Sequence, residues 1–383
     1  MRYPLVADGH LTPAAIEAAV ACLRAGQYSM GAHVRRFEAM AGDAFGSPHA
    51  VMVNSGSSAL LLAWEVLLRP SWGAPGLRVG DEVLVPALGW STTVWPLIQL
   101  GLKPVFVDSE PETLGMDLEQ AAAKITPRTK AICYVYPAGL AIRAPQVRAF
   151  AFEHQLYLVE DACEAVGATV DGKAAGTFGH LGTFSHYYSH QLPTIEGGLV
   201  LTPNEVLAED LRAARAHGWD RDRKDKRAEK DFRFVTTGYN VRPMDLQGAI
   251  GCAQLPMLKT ALTWRRVHAQ RIARTLERLP GVHLVGADYV TSEAHSWMFA
   301  PILVDRNRDA VRGQFELAGI ETRPLLAGNL LAHPALSDYP EAGDFPIADY
   351  AMTHGFMIGC HGVEMVNEWE LCSARLEAQL CAA

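Results

Sequence analysis

The run Val51-Met52-Val53-Asn54-Ser55-Gly56-Ser57-Ser58-Ala59 decides how this chain folds. Three apolar residues read as a strand, five small or polar ones read as a turn, and residues 59–68 continue as a helix. Outward from this βα unit the same alternation repeats. Strand-like runs stand at 51–54, 82–86, 104–108, 131–136 and 156–160, and helix-like stretches such as 59–68, 118–125 and 144–154 lie between them. Strands this apolar are covered on both faces, which predicts an α/β fold with a mostly parallel central sheet. Ligands of such sheets sit beyond the carboxyl ends of the strands.

Thr12 as N-cap, Pro13 at the first helical position and Gly26 past the end frame an opening helix. After about Pro256 a long helical stretch leads to strand-like 296–304, a helix over 308–317 and a strand over 320–324. The expected division is therefore residues 1–255, an N-terminal segment with a large lobe, and residues 256–383, a smaller α/β lobe. The charged run 221–230 reads as a solvated surface loop, with a flap near the site as the alternative.

A chain of 383 residues, 49% hydrophobic and 20% charged, buries a large core. Its net charge of −8 repels nucleic acid and anionic membranes, so neither is expected as a partner. No apolar run approaches the ~20 residues of a membrane span, and no apolar leader follows Met1-Arg2-Tyr3-Pro4. Seven cysteines without paired spacing read as reduced thiols, and a cytoplasmic location is expected. His154, His268 and His333 lack ligand-like spacing, so no metal site is expected.

Three segments carry candidate chemistry. At Asn54-Ser55-Gly56-Ser57-Ser58 small residues let backbone N–H groups close on an anion at a helix N-terminus, although a plain capped turn explains them equally well. Val159-Glu160-Asp161-Ala162-Cys163-Glu164 puts acids at the end of a buried strand, where a carboxylate can hold a pyridine nitrogen protonated or simply satisfy a helix start. Trp90 is either core or a flat surface for an aromatic cofactor. The third segment is Ser185-His186-Tyr187-Tyr188-Ser189-His190-Gln191-Leu192-Pro193-Thr194-Ile195-Glu196-Gly197-Gly198, whose His190 moves protons near neutral pH.

In order and spacing these segments resemble the fold-type I pyridoxal-phosphate (PLP) enzymes of the DegT/DnrJ/StrS sugar aminotransferase family. The resemblance runs from Tyr28-Ser29-Met30-Gly31 to Gly319-Ile320-Glu321-Thr322-Arg323-Pro324. His190 stands where that family has the lysine that tethers the cofactor. In this the chain is similar to the lysine-free sugar-nucleotide 3-dehydratases. It shares with them Ser-His-x-x-x-Thr-x-Glu-Gly-Gly from Ser189, Leu211-Arg212-Ala213-Ala214-Arg215-Ala216-His217-Gly218-Trp219 and Gly238-Tyr239-Asn240-Val241-Arg242-Pro243.

The resemblance implies a large PLP-binding domain and a small C-terminal one. It implies that Ser57, Ser58 and Ser185 hold the cofactor phosphate, with Asn240 reaching in from the second subunit of a homodimer with shared active sites. Asp161 pairs with the pyridine nitrogen, Trp90 stacks on the ring, and Glu164 lies beside it. His190 is the acid/base, with His217 and Glu164 also catalytic. Tyr28, His217, Arg242 and Arg323 lie near substrate. The implied reaction starts from non-covalent pyridoxamine phosphate (PMP) and a nucleotide-linked 4-keto-6-deoxyhexose. It removes the C3 hydroxyl, and glutamate restores the cofactor amine. An ordinary pKa near ~6.5, against ~10.4 for lysine, leaves His190 as free base at neutral pH. The alternatives are amination to a 4-amino sugar and a non-catalytic cofactor-binding homologue. An iron–sulfur branch is excluded because no cysteine lies between Cys163 and Cys252.

Gln191, Pro193 and His186 depart from the dehydratase pattern, and Tyr136-Pro137-Ala138-Gly139-Leu140-Ala141-Ile142-Arg143 lacks its Gly-Asn-Pro. If that loop touches substrate, the sugar or its carrier differs from a GDP-hexose. Arg143 there reads as a solvated arginine, with an anion contact as the alternative.

Overall fold

The computed structural model describes residues 2–69, 75–223, 232–339 and 343–380. Two helices precede the first strand. Thr12 caps α1 (Pro13–Arg24) by accepting from the Ala15 amide. α2 (Ala32–Phe45) starts at Gly31, which has no side chain to cap it; Asp245 accepts from the Gly31 (2.9 Å) and Val34 (3.0 Å) amides instead. Then β1 (His49–Val53) leads into α3 (Gly56–Leu67), β2 (Glu82–Pro86) into α4 (Ser91–Gln99) and β3 (Lys103–Val107) into α5 (Leu118–Ala123). β4 (Thr129–Val135), α6 (Ala144–Glu153) and β5 (Tyr157–Asp161) follow. A small hairpin, β6 (Thr169–Val170) and β7 (Lys173–Ala174), precedes β8 (Leu181–Ser185) and β9 (Gly198–Thr202).

Seven strands make one sheet in the order β1-β9-β8-β5-β4-β2-β3. β2 to β5 and β8 pair in parallel, whereas β9 runs against both of its neighbours, β8 and β1. The reversal follows from the connection. Residues 186–197 contain no helix to carry a parallel crossover, so the chain turns back on itself as a hairpin. Alternate residues enter opposite apolar layers: Ala50, Met52 and Leu84 on one face, Val51, Val53, Val83 and Val85 on the other. Both faces of the sheet are dry, as the unbroken apolar runs predict.

β1 lies at the sheet edge, where an unpaired strand would expose its amides. Glu38 of α2 accepts from the Met52 amide (2.8 Å), and Arg215 donates to the Met52 carbonyl (2.7 Å). The two side chains also pair with each other, and both are buried. This closed ring of bonds holds the strand that leads to the small-residue turn.

After α7 (Glu205–Ala214), α8 (Asp245–Gln254) and α9 (Leu258–Leu276), a second sheet forms in the order β10-β11-β13-β12. Its strands are β10 (Val282–Leu284), β11 (Phe299–Val304), β12 (Thr322–Pro324) and β13 (Gly355–Gly359), all paired antiparallel. α10 (Arg308–Leu317), α11 (Pro346–His354) and α12 (Val366–Leu380) accompany it. The chain's opening residues cross to this lobe: Tyr3 is fully buried, bridges Ile320, and donates its amide to the Gly319 carbonyl (2.8 Å). Of the charged run 221–230, residues 224–230 lie outside the described residues; Arg223 pairs with Asp210 at 3.0 Å. No described helix is long and apolar enough to cross a membrane.

Removing Glu38 strands the buried Arg215 charge and frees the Met52 amide. Glu38→Ala is expected to cost about 3–5 kcal/mol of unfolding free energy, the range for breaking a buried pair. Urea denaturation measures it, and a loss below about 1 kcal/mol would remove the pair from this role.

Candidate active site

The carboxyl ends of β1, β2, β5 and β8 and the amino end of β9 share one edge of the sheet. Gly198 pairs with Val53 on one side and Ser185 on the other. A Cβ on Gly198 would lie 2.1 Å from the Ser55 carbonyl oxygen, and one on Gly56 would lie 2.7 Å from the Ser185 Cβ. Glycine at both positions is what lets the mouth of α3, Ser185 and the start of β9 touch. Ser55 caps α3, accepting from the Ser58 amide (3.1 Å) and donating to the Ser58 hydroxyl (3.0 Å). The Gly56 and Ser57 amides, first in the helix, have no intrahelical acceptor. Ser57 is exposed, Ser58 half-buried and Ser185 buried, so the three predicted phosphate residues surround one helix N-terminus. Ser55 joins them; its role as cap was legible only as one end of the small-residue run.

Asp161 ends β5 and is buried. It accepts from the Thr93 hydroxyl (2.7 Å) and the Cys163 amide (3.3 Å), and no cation among the described residues pairs with it. Burial pushes its carboxyl above the usual range, against the pull of those two bonds. Thr93, in the first turn of α4, was not singled out from sequence because a hydroxyl three residues after Trp90 has no pattern of its own. Trp90 stands at the N-cap position of the same helix without capping it through its side chain and is 58% exposed, a large flat ring left open at the sheet edge. Glu164 accepts from the Ala138 amide at 2.7 Å. Burial, then the nearby Asp161 charge, raise its carboxyl to about 8.

His190 sits in the hairpin loop between β8 and β9, half-buried. Its amide donates to the Tyr187 carbonyl (3.0 Å), and its carbonyl lies 2.6 Å from His10 Nε2. Burial first, then the positive fields of His186, Arg265 and His10, depress its imidazole to about 3. Two of the departures from the dehydratase pattern, Gln191 and His186, have structural explanations here. Gln191 is buried and donates to the Glu164 carbonyl (2.5 Å) and the Ser296 hydroxyl (2.8 Å). His186 is core, its Nδ1 2.9 Å from the Leu192 carbonyl and its ring edge-on to Phe37. Arg143 is partly solvated, as expected, but ion-paired: it forks onto Glu110 (2.9 and 2.8 Å) and reaches Glu112 (3.1 Å), so it is not free for an anion. In place of Gly-Asn-Pro, Pro137–Gly139 make one tight turn, with Ala138 at φ 55°.

The remaining predicted residues fall into two places. His217 (φ 64°) is exposed and donates its amide to the Tyr239 carbonyl at 2.7 Å; Asn240, also exposed, bridges Ala216. Between Asn240 and the half-buried Arg242, the Val241 carbonyl accepts from the Asn54 amide (3.0 Å), so this segment borders the turn into α3. Tyr28, 63% exposed, adjoins it through the Ser29–Met244 bridge. Arg323 lies apart on β12 with an exposed side chain 3.6 Å from Glu321, and among the described residues no hydrogen bond or ion pair joins it to the others. Among described lysines, Lys103 and Lys130 lie at the opposite, amino edge of the sheet, Lys124 donates to the Phe106 carbonyl (2.5 Å), Lys173 sits over Phe178, and Lys259 is in α9. Cys252 is half-buried and Cys133 buried. Cys22, His33 and Asp245 bring ligand-type atoms within 4.8 Å of one another, but Asp245 is already the cap of α2 and Cys22 donates to the Gln27 carbonyl (3.0 Å).

A buried unpaired acid, an open helix N-terminus and an exposed indole around one sheet edge fit an aromatic cofactor bearing a phosphate and a ring nitrogen. Comparison with known proteins agrees. GDP-4-keto-6-deoxy-D-mannose 3-dehydratase of Escherichia coli O55:H7 is 36% identical over 358 residues, spanning 89% of this chain and 91% of the relative. The solved E. coli GDP-4-keto-6-deoxy-D-mannose-3-dehydratase with bound hydrated PLP superposes with a TM-score of 0.90 at 33% identity, covering 98% of this chain and 99% of that one. A structure of GDP-4-keto-6-deoxymannose-3-dehydratase with a trapped PLP-glutamate geminal diamine gives a TM-score of 0.88 at 33% identity, over 98% and 100% of the two chains. Residues 10–368 match the DegT/DnrJ/EryC1/StrS aminotransferase family, and the chain belongs to that family.

Proposed function

We propose that this protein is a PMP/PLP-dependent 3-dehydratase that removes the C3 hydroxyl from a nucleotide-linked 4-keto-6-deoxyhexose. The reading rests on His190, which the family resemblance matches to the tethering lysine, on the loop whose Gln191 bonds the carbonyl of Glu164 beside Asp161. The first turn of α3 with Ser57, Ser58 and Ser185 would hold the phosphate, Asp161 the ring nitrogen and Trp90 the ring face. When bound, the cofactor supplies an amine for the sugar ketone and an electron sink. With the cofactor bound, His190 would serve as the group that accepts a proton at the carbon bearing that amine and returns it to the departing C3 oxygen. Glu164 and His217 are assigned to proton handling near the sugar, and Tyr28, Arg242 and Arg323 to substrate contact. Glutamate is the proposed amino donor, the amino acid found on the cofactor in the similar 3-dehydratase.

In the cofactor-free protein an imidazole held near 3 is free base throughout the neutral range, and once protonated it is a strong acid toward a leaving hydroxide; the same depression weakens it as a base. Glu164, held near 8, keeps its proton at pH 7 and is a donor there. A homodimer is part of the reading, because Tyr28 (63%), Phe234 (61%) and Met244 (51%) leave apolar surface exposed beside the site.

Incubation with PMP and a panel of nucleotide 4-keto-6-deoxyhexoses is expected to give a product one oxygen poorer and free of cofactor nitrogen, by mass spectrometry. A 4-amino product would favour transamination instead. His190→Asn should lower turnover by about 10²-fold or more while cofactor binding persists, the scale of a lost acid/base; undiminished turnover removes His190 from the chemistry.

The same groups set the stability of the cofactor-free protein. His10, His186 and His190 titrate near 4, 4 and 3 when folded. Below about pH 6.5 the unfolded chain therefore binds protons that the folded chain does not, and stability falls as pH drops. Glu164 acts oppositely: folded, it keeps its proton up to about 8, so stability is lost as pH rises from about 4.5 through 8. Melting temperature should peak at about pH 6.5–7, and His190→Asn should make the acid limb shallower without removing it, because His10, His186 and the buried His295, held near 3, still contribute. A flat wild-type profile from pH 4 to 8 contradicts these shifts.

A further inference from the structure

His10 is a buried imidazole, 8% exposed, that none of the roles above uses. It precedes α1, far in sequence from the hairpin loop, yet its Nε2 lies 2.6 Å from the His190 carbonyl oxygen. A carbonyl only accepts, so Nε2 carries the proton. Burial, reinforced by the Arg265 charge, holds this ring neutral down to about pH 4, which makes the Nε2–H tautomer the resident form at neutral pH. The donor is itself braced. Gln254 of α8 donates to the His10 carbonyl (3.0 Å) and accepts from the Thr12 amide (3.1 Å), and Tyr188 meets the His10 ring edge-on with centroids 5.8 Å apart.

The bond falls at the weakest point of the loop. On one side the His190 amide is held by Tyr187, and on the other the Gln191 side chain is locked to Glu164 and Ser296. The peptide between those anchors has its carbonyl taken by His10. Among the described residues the His190 imidazole has one hydrogen-bond contact, a 3.5 Å approach to Ser189 Oγ that is longer than a good bond, and Tyr187 meets its ring edge-on with centroids 6.0 Å apart. With side-chain contacts this weak, where that ring points depends on the peptide it hangs from.

We propose that His10 is a positioning residue: its imidazole N–H, donated to the His190 carbonyl, fixes the backbone from which the acid/base imidazole projects. The assignment rests on the reading of His190 given above. A leucine at 10 fills space without donating; a glutamine presents an amide N–H at a similar reach. In cofactor-free protein labelled on histidine with ¹³C and ¹⁵N, with His190→Asn to identify the signal, wild type and His10→Gln should show one sharp His190 imidazole resonance. His10→Leu should broaden or split it. In the dehydratase assay His10→Leu should lose about tenfold or more in kcat at unchanged KM, and His10→Gln should recover most of that loss. An unchanged His190 resonance in His10→Leu, or a kcat loss that His10→Gln fails to restore, overturns the assignment. If wild type turns over none of the sugars tested, the dehydratase reading falls, and the resonance comparison alone still decides the role of His10.

Discussion

A backbone oxygen and an absent side chain hold this site together. The Ser55 carbonyl occupies the space that any residue but glycine at 198 would fill, 2.1 Å from where its Cβ would stand. That approach ties the end of β1, the mouth of α3 and the start of β9 into one corner, and it forces the chain between β8 and β9 to loop out over the sheet edge. The loop is where His190 stands. The outer edge of β1 is pinned at Met52 by Glu38 and Arg215, so the corner cannot swing away from the sheet. Placement of the α3 mouth and of the loop that carries His190 thus follows from one packing contact and one buried ion pair.

Replacing lysine by histidine changes what the rest of the site has to supply. Without a covalent tether, micromolar retention of a cofactor needs about 8 kcal/mol from contacts alone. The geometry offers three kinds: amides at a helix N-terminus without intrahelical acceptors, a buried carboxylate that no described cation pairs with, and an exposed indole. Burial also turns the imidazole into a stronger acid than its free form. The same low-dielectric surroundings hold Glu164 neutral, so two neighbouring groups are pushed to opposite protonation states by one environment.

Much of this was legible in the sequence, because it rests on local patterns. Glu82–Pro86 and Arg308–Leu317 fall where the apolar runs placed them, and Thr12 with Pro13 marks the first helix. Asp161 and Ser185 stand at strand ends, as expected of residues that serve a ligand. What escaped is non-local. β10 is three residues long and β13 is a glycine-bounded run directly after α11, so neither carries a periodic signal. The reversal of β9 depends on how residues 186–197 return, which spacing alone does not reveal. Thr93, His10 and Gln254 matter through partners 68, 180 and 242 residues away. Arg143 read as a loop arginine because its glutamate partners lie 33 and 31 residues upstream.

The central claim is that the cofactor is held here without a bond to the chain. Borohydride reduction of the PLP-loaded protein, followed by intact-mass and peptide mass spectrometry, tests it most directly. The account predicts an unmodified chain and cofactor that leaves on dialysis. A reduced adduct on Lys173 or any other lysine would contradict it.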